Sequence, residues 1–218
     1  MTFADVLLQL ESGLRRELPG STAHALLSPQ PRRAWPPGFN PARIRLAAGL
    51  LLVFPHSSSS DRAHIVLTVR AHALRHGGQV SLPGGVVDPG ETFEQTALRE
   101  AHEEIALTTH GVEVLGPLTP LDIPVSGFRL HPIVAAIDHA PRLHPADAEV
   151  ARILRIDLDE LCDGAALVAT RRTRDGHTLD VPAFRVAGVE IWGATAMVLA
   201  EFLVLLGWHG PRPAPATA

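Results

Sequence analysis

Three glutamates, Glu100, Glu103 and Glu104, lie within five residues of a segment with the composition of a helix. Residues three or four positions apart share one face of an α-helix, so the three carboxylates are crowded onto one stripe. Like charges at this spacing destabilise an isolated helix by about 0.2–0.5 kcal/mol per pair, which a bound cation would offset. Hard oxygen ligands prefer magnesium or manganese to zinc. The segment therefore predicts a divalent-metal site.

The residues before the glutamates form a spaced motif. Gly85 is followed by five residues and Glu91, then by seven residues and the run Arg99–Leu107. This spacing closely resembles the Nudix box, G-x5-E-x7-R-E-U-x-E-E-x-G-U, in which U is an aliphatic residue. The last glycine of the box is Ala106 here, which we expect to have a modest cost in stability if its φ is positive.

The resemblance implies an α+β Nudix fold, an α/β/α sandwich in which a mixed β-sheet lies between helices and the catalytic loop-helix runs from Gly85 to Leu107. It implies hydrolysis of a nucleoside diphosphate linked to another group, with Mg²⁺ or Mn²⁺ as cofactor. The roles that it implies are metal binding and catalysis by Glu100, Glu103 and Glu104, a metal contact from the Gly85 carbonyl, and a structural pair, Glu91 and Arg99. The general base stays open between the three helix glutamates and Glu149.

The residues upstream of the box bear on the substrate. The segment 66–85 resembles the signature of the coenzyme A diphosphatase branch, L-L-T-x-R-S-x3-R-x3-G-x3-F-P-G-G. The corresponding residues are Leu67, Thr68, Arg70, Arg75, Gly78, Pro83, Gly84 and Gly85. Two residues rather than three separate Arg75 from Gly78, which could displace Arg75 by a few ångströms (about one residue of chain). Arg70, Arg75 and Gly84 are the predicted substrate-binding residues.

These patterns leave three hypotheses. The first is a metal-dependent hydrolase that cleaves coenzyme A or acyl-CoA to adenosine 3′,5′-bisphosphate and 4′-phosphopantetheine. The second keeps the enzyme but changes the substrate to ADP-ribose, a dinucleotide or a nucleotide sugar. The third is a Nudix-fold binding protein without turnover, although such modules often lose metal ligands that this chain retains.

The net charge and the cysteine content argue against several other classes of function. The chain has 218 residues and a formal net charge of −4, which does not support bulk binding of nucleic acid or anionic membrane. Its single cysteine, Cys162, excludes an intramolecular disulfide and a cysteine-based zinc cluster. We expect a cytoplasmic protein without a secretory signal or membrane span. Its oligomeric state, including a homodimer, stays open.

Local patterns predict the elements that position the motif. Apolar residues from Phe3 to Leu18 repeat at helical spacing, with Thr2 placed as the cap, and predict a helix that ends before Pro19. Five prolines in residues 28–41 predict an extended segment that wraps the body, with Trp35 as its anchor. We therefore expect three parts: residues 1–42 as helix and wrapping segment, 43–207 as the Nudix hydrolase domain, and 208–218 as a disordered tail.

Strands are predicted on both sides of the central helix. Arg45–Phe54 and Ala63–Arg70 read as a hairpin joined by a polar turn. Further strands are predicted at Val112–Leu118, Phe128–Ile137, Val150–Ile156, Ala165–Arg171 and Val181–Val186. A short helix is predicted at Leu158–Cys162, and a buried closing helix at Gly193–Leu206.

Overall fold

The structure, a computed structural model, describes residues 1–72, 77–174 and 177–211. Within these residues an eight-stranded sheet and a three-stranded sheet are accompanied by five α-helices. The helices are α1 (Phe3–Leu14), α2 (Gly20–Leu26), α3 (Phe93–Ile105), α4 (Leu158–Cys162) and α5 (Ala194–Leu205). The strands are β1 (Arg45–Ser57), β2 (Ser60–Arg70), β3 (Val80–Ser81), β4 (Gly84–Val86), β5 (Glu113–Pro117), β6 (Leu121–Ile123), β7 (Phe128–Ala136), β8 (Val150–Asp157), β9 (Leu167–Arg174), β10 (His177–Val186) and β11 (Val189–Trp192).

Strand β1 is the centre of the large sheet. It pairs in parallel with β7 along one edge and antiparallel with β2 and β4 along the other. Strand β8 continues the sheet beyond β2, while β5 and β6 pair with β7. The sheet is therefore mixed, as predicted. The smaller sheet is antiparallel, in the order β11-β10-β9.

The side chains of β1 alternate between two cores. Leu50, Leu52 and Phe54 belong to the core on the α3 side. Leu51 and Val53 belong to the larger core that α1 and α5 also enter. Successive side chains of a strand point to opposite faces, so an unbroken apolar run becomes a layer buried on both sides. The α/β/α sandwich is thus confirmed.

Several local predictions are confirmed. Helix α1 begins at Phe3, and the Thr2 hydroxyl accepts a hydrogen bond from the Asp5 N–H at 3.1 Å. The β1–β2 hairpin and the short helix α4 lie where they were expected. The expected end of α1 near Leu18 is wrong, because the helix ends at Leu14 and a second helix, α2, follows.

The predicted disordered tail is wrong in its first residue. Trp208 is 9% exposed, and its ring centroid lies 6.0 Å from that of Phe184 on β10. The packed body therefore extends past residue 207. Residues 212–218 lie outside the described part of the chain. No helix among the described residues is long and apolar enough to cross a membrane.

A buried carboxylate joins the closing helix to the N-terminal region. Glu201 on α5 is fully buried and accepts hydrogen bonds from the Gly20 N–H at 3.1 Å and the Thr119 hydroxyl at 2.6 Å. The Nε2 atom of His24 lies 2.9 Å from its second oxygen. Burial by itself raises the pKa of Glu201. The hydrogen bonds with His24 and Thr119 lower it by a larger amount, so the net pKa lies below the ordinary value.

We expect Glu201→Ala to lower the free energy of unfolding by about 3 kcal/mol, because it leaves buried donors without an acceptor. Urea denaturation followed by circular dichroism measures this change. The matched control is Glu11→Ala on the exposed face of α1, for which we expect a change within about 0.5 kcal/mol. Similar losses for the two variants would contradict the structural role of Glu201.

The same carboxylate makes stability depend on pH. A group whose pKa is lowered by folding stabilises the fold above its unfolded pKa, and this contribution is lost as the pH falls through the folded pKa. The ordinary pKa of Glu201 is 4.5. The wild type should therefore lose stability more steeply below about pH 4.5 than Glu201→Ala does.

The residue after α3 is strained. Ala106 has φ 55° and ψ 33°, which is the left-handed conformation that favours glycine. Its N–H donates a hydrogen bond to the His102 carbonyl at 3.0 Å, which holds the residue in this position.

We expect Ala106→Gly to raise the free energy of unfolding by about 0.5–1 kcal/mol, since glycine adopts this backbone without a Cβ penalty. Ala42→Gly, at an alanine outside the left-handed region, is the control and should lower it. Thermal unfolding measures the stability of both variants. A loss of stability in Ala106→Gly would show that Ala106 is not strained.

Candidate active site

The start of α3 is defined by a capping box. The Thr92 hydroxyl accepts from the Gln95 N–H at 3.2 Å, and the Gln95 side-chain oxygen accepts from the Thr92 N–H at 2.9 Å. This reciprocal pair ends the preceding loop at a defined residue. The helix register that follows brings Glu104 to the Gly84 N–H and Glu100 against Gly85, both on β4, and leaves Glu103 half exposed.

Arg99 is the centre of a charged network between the loop and α3. Its Nε and Nη2 donate to the two oxygens of Glu91 at 2.8 and 3.0 Å. Its Nη1 donates to Glu100 at 2.9 Å and to Glu103 at 3.1 Å. The hydrogen bonds from Arg99 and Thr96 lower the pKa of Glu91 to about 2. Bidentate arginine–carboxylate pairs fix orientation as well as distance, so the loop is held in one position on the helix.

Glu104 is the buried member of the three. It is 8% exposed, and its Oε2 accepts a hydrogen bond from the Gly84 N–H at 3.2 Å. Burial raises the pKa of Glu104 to about 8, an effect that the Gly84 N–H opposes and that the nearby charges of Glu100, Asp147 and Glu149 strengthen. A carboxyl in such surroundings releases its proton readily when a cation approaches.

Glu100 lies against the glycine loop. Burial raises its pKa, and its hydrogen bond from Arg99 opposes that shift. A Cβ built at Gly85 would overlap the Glu100 carboxylate, and a Cβ built at Gly84 would overlap the Ala48 carbonyl oxygen. Both glycines are therefore required by close approach, Gly84 to the central strand and Gly85 to the acidic face of α3.

The glutamates do not form a closed cage. Among the residues that the structure describes, no three acidic, histidine or cysteine side chains converge closely enough to enclose a metal ion. The donor set nevertheless fits a hard divalent cation, because Glu100, Glu103 and Glu104 supply only oxygens and border one cavity together with Gly85. The guanidinium of Arg99 bridges Glu100 and Glu103, which shows that this acidic face accommodates positive charge.

The cavity in front of the glutamates has a volume of about 1260 Å³. Its acidic end also includes Asp147 and Glu149. Arg70 lies on the same wall, and its Nη2 is 2.9 Å from the Glu149 carboxylate. The structure therefore brings Arg70, Gly84 and Glu149 to the glutamates. Arg75 lies outside the described residues.

The remaining walls of the cavity consist of residues that the local sequence pattern did not predict as site residues. Trp192 on β11 and Met197 on α5 both border the cavity, although Met197 is buried. Arg172 stacks on Trp192 with its Cζ atom 4.4 Å from the ring centroid. The segment 28–33 also borders it, apart from Gln30. The five prolines of residues 28–41 indicated a wrapping segment, but no local signal showed which surface it covers.

A mixed sheet between helices, with a glycine loop running into a glutamate-bearing helix, defines the class of Nudix proteins. The NUDIX domain family matches residues 44–178 of the chain. The protein belongs to this family and is a Nudix hydrolase, a pyrophosphohydrolase whose family acts on small-molecule nucleoside diphosphates with divalent metal ions.

Related proteins agree with this assignment. An uncharacterized Nudix hydrolase, NudL, from Pectobacterium atrosepticum is 37% identical over 174 residues, which cover 75% of this chain and 84% of that protein. NudL from Klebsiella pneumoniae is 32% identical over 206 residues, covering 94% of this chain and 98% of that protein. The crystal structure of RenU, a Nudix hydrolase from M. smegmatis, superposes with a TM-score of 0.52 at 23% identity, covering 79% of this chain and 89% of that one. The last likeness shows the fold.

We expect Gly85→Ala to displace the Glu100 side chain and to lower the rate of diphosphate hydrolysis by about 100-fold, because misplacement by about 1 Å has effects of that size. Gly164→Ala is the control, since a Cβ there meets open space. Both variants should keep the circular dichroism spectrum of the wild type. Wild-type activity in Gly85→Ala would show that the close contact has no role.

Proposed function

We propose that this Nudix hydrolase is a cytoplasmic enzyme that cleaves the diphosphate of coenzyme A or acyl-CoA to adenosine 3′,5′-bisphosphate and 4′-phosphopantetheine. The observation that carries the proposal is the position of the signature residues Arg70, Gly84 and Gly85, which border the same cavity as the glutamates of α3. The cavity exceeds the range of about 300–1,000 Å³ usual for small ligands, as an extended substrate requires.

In this proposal Glu100, Glu103, Glu104 and the Gly85 carbonyl hold Mg²⁺ or Mn²⁺. A cation held by these residues would supply positive charge to the phosphoryl oxygens and would lower the pKa of a nearby water, the nucleophile. Glu91 and Arg99 orient the loop and helix through their bidentate pair. Arg99 also holds Glu100 and Glu103 at the cavity wall before substrate arrives.

Arg70 and Glu149 have linked roles. Arg70 binds substrate phosphate, and Glu149 is one candidate for the general base, the helix glutamates being the others. The two side chains form an ion pair at 2.9 Å, so neither can act fully until that pair opens. A phosphate that binds Arg70 would compete with Glu149 and release its carboxylate toward the cavity. Arg75 is proposed as a further substrate contact from the coenzyme A signature alone.

The second candidate is a Nudix hydrolase of another nucleoside diphosphate derivative, such as ADP-ribose, a dinucleotide or a nucleotide sugar. It is favoured by the shortened spacing between Arg75 and Gly78, which departs from the coenzyme A signature. A binding protein without turnover is disfavoured because Glu100, Glu103 and Glu104 are all present.

The test is product analysis by mass spectrometry after incubation with coenzyme A, ADP-ribose and NADH, each with Mg²⁺ or Mn²⁺. We expect 4′-phosphopantetheine from coenzyme A, and a fall in kcat of at least about 100-fold in Glu103→Gln, because a ligand of the metal loses its charge. Glu103 is half exposed, so the variant should fold normally.

The matched control is Glu94→Gln, which changes a glutamate in the first turn of α3 that does not border the cavity. It should retain wild-type kcat. Cleavage of ADP-ribose but not of coenzyme A would replace the first proposal with the second. Full activity in Glu103→Gln would contradict the proposed metal ligands.

A further inference from the structure

Residues 28–35, here called the strap, precede the matched NUDIX region, and five of them border the cavity. At one end, the Gln30 N–H donates to the Asp180 carbonyl on β10 at 2.8 Å, and the Asp180 N–H donates back at 2.9 Å. At the other end, the Trp35 Nε1–H donates to Asp122 on β6 at 3.2 Å. Because both ends are hydrogen-bonded, the residues between them have a defined position in the cavity wall.

The strap contributes positive charge to the cavity. Arg32 and Arg33 border it together with Ser28, Pro29 and Pro31. Within the described part of the chain, Arg32 has no hydrogen-bond or ion-pair partner, and its side chain is exposed. Its charge acts on Asp122, whose pKa is lowered chiefly by the Arg129 hydrogen bond and also by Trp35 and Arg32. Arg32 is therefore available to an anionic ligand.

A second arginine lies at the same end of the cavity. Arg45 borders the cavity, and its Cζ atom is 4.0 Å from the centroid of the Phe128 ring. Phe128 directly precedes Arg129, which pairs with Asp122 through Nε at 2.6 Å. Arg45 and Arg32 thus both border the β6–β7 hairpin. Arg45 stacks on Phe128 through the face of its guanidinium, so the N–H groups at the guanidinium edges are open to a ligand.

This cationic end is separate from the acidic end. Gly85, beside Glu100, is paired with Ala48 of β1. Arg45 precedes Ala48 by three residues, which is about 10 Å of extended strand. The scissile diphosphate belongs at the glutamates, so the group that reaches Arg32 and Arg45 is a different part of the substrate.

We propose that Arg32 of the strap, supported by Arg45, is a specificity-determining residue that binds a phosphate of the substrate remote from the scissile diphosphate. The inference rests on the proposed function, and in coenzyme A the phosphate is the one on the ribose 3′ position. An exposed arginine on a pre-positioned strap makes a charge-assisted bond at a small cost in entropy. Substrates without a third phosphate gain nothing from this contact.

The experiment compares steady-state hydrolysis of coenzyme A and dephospho-coenzyme A by the full-length enzyme with Mg²⁺. Arg32→Ala should raise KM for coenzyme A about tenfold, with kcat changed by less than about twofold, because the contact lies away from the reacting atoms. KM for dephospho-coenzyme A should not change. Arg32→Lys should restore most of the affinity, since it keeps the charge but loses the planar fork.

Arg16→Ala is the matched control, because Arg16 is exposed just after α1 and does not border the cavity. It should leave KM for both substrates at the wild-type value. An unchanged KM for coenzyme A in Arg32→Ala would overturn the proposal, as would an equal rise for both substrates.

A binding measurement separates this proposal from the proposed function. Calorimetry with adenosine 3′,5′-bisphosphate and AMP needs no turnover. Arg32→Ala should weaken the bisphosphate about tenfold and leave AMP unchanged, even if coenzyme A is not hydrolysed. In that case the phosphate subsite stands and the assigned reaction fails. Equal binding of the bisphosphate by wild type and Arg32→Ala would overturn the subsite while leaving the assigned reaction standing.

Discussion

The contacts of Arg99 join the parts of the site. One guanidinium donates to Glu91 in the loop and to Glu100 and Glu103 on α3, so loop and helix share one charged centre. Carboxylates that would otherwise repel each other are held facing the cavity by this cation. The glycines extend the constraint, because only residues without a Cβ allow β4 to approach both β1 and Glu100. The acidic wall is therefore positioned by packing and charge together.

The cavity divides into ends of opposite charge. The acidic end, with Glu104 buried beside Asp147 and Glu149, suits a metal and the diphosphate that the metal accompanies. The basic end is formed by the strap and the first residue of β1. A substrate with negative charge at two separated places fits such a division better than a simple diphosphate does. Under the proposed function, substrate choice therefore depends on residues outside the catalytic helix.

Some of the fold was predictable because its signals are local. The nearly unbroken apolar run within Arg45–Phe54 and the helical spacing after Thr2 identified β1 and the start of α1. The strands β3, β4, β6 and β11 were missed because two to four residues contain no periodicity. Trp208 was assigned to a tail because its proline-rich neighbours dominate the local composition, whereas its burial depends on Phe184, which lies 24 positions earlier in the chain.

The amino-acid sequence by itself determined the class of chemistry. The spacing of Gly85, Glu91, Arg99 and the three glutamates resembles the Nudix box, and that resemblance implies the chemistry. Helix geometry converts the spacing of the glutamates into a shared face. Only the tertiary structure decided what surrounds that helix. The strap, Trp192 and the Arg70–Glu149 pair meet the cavity through contacts between residues far apart in the chain, and no local spacing encodes such contacts.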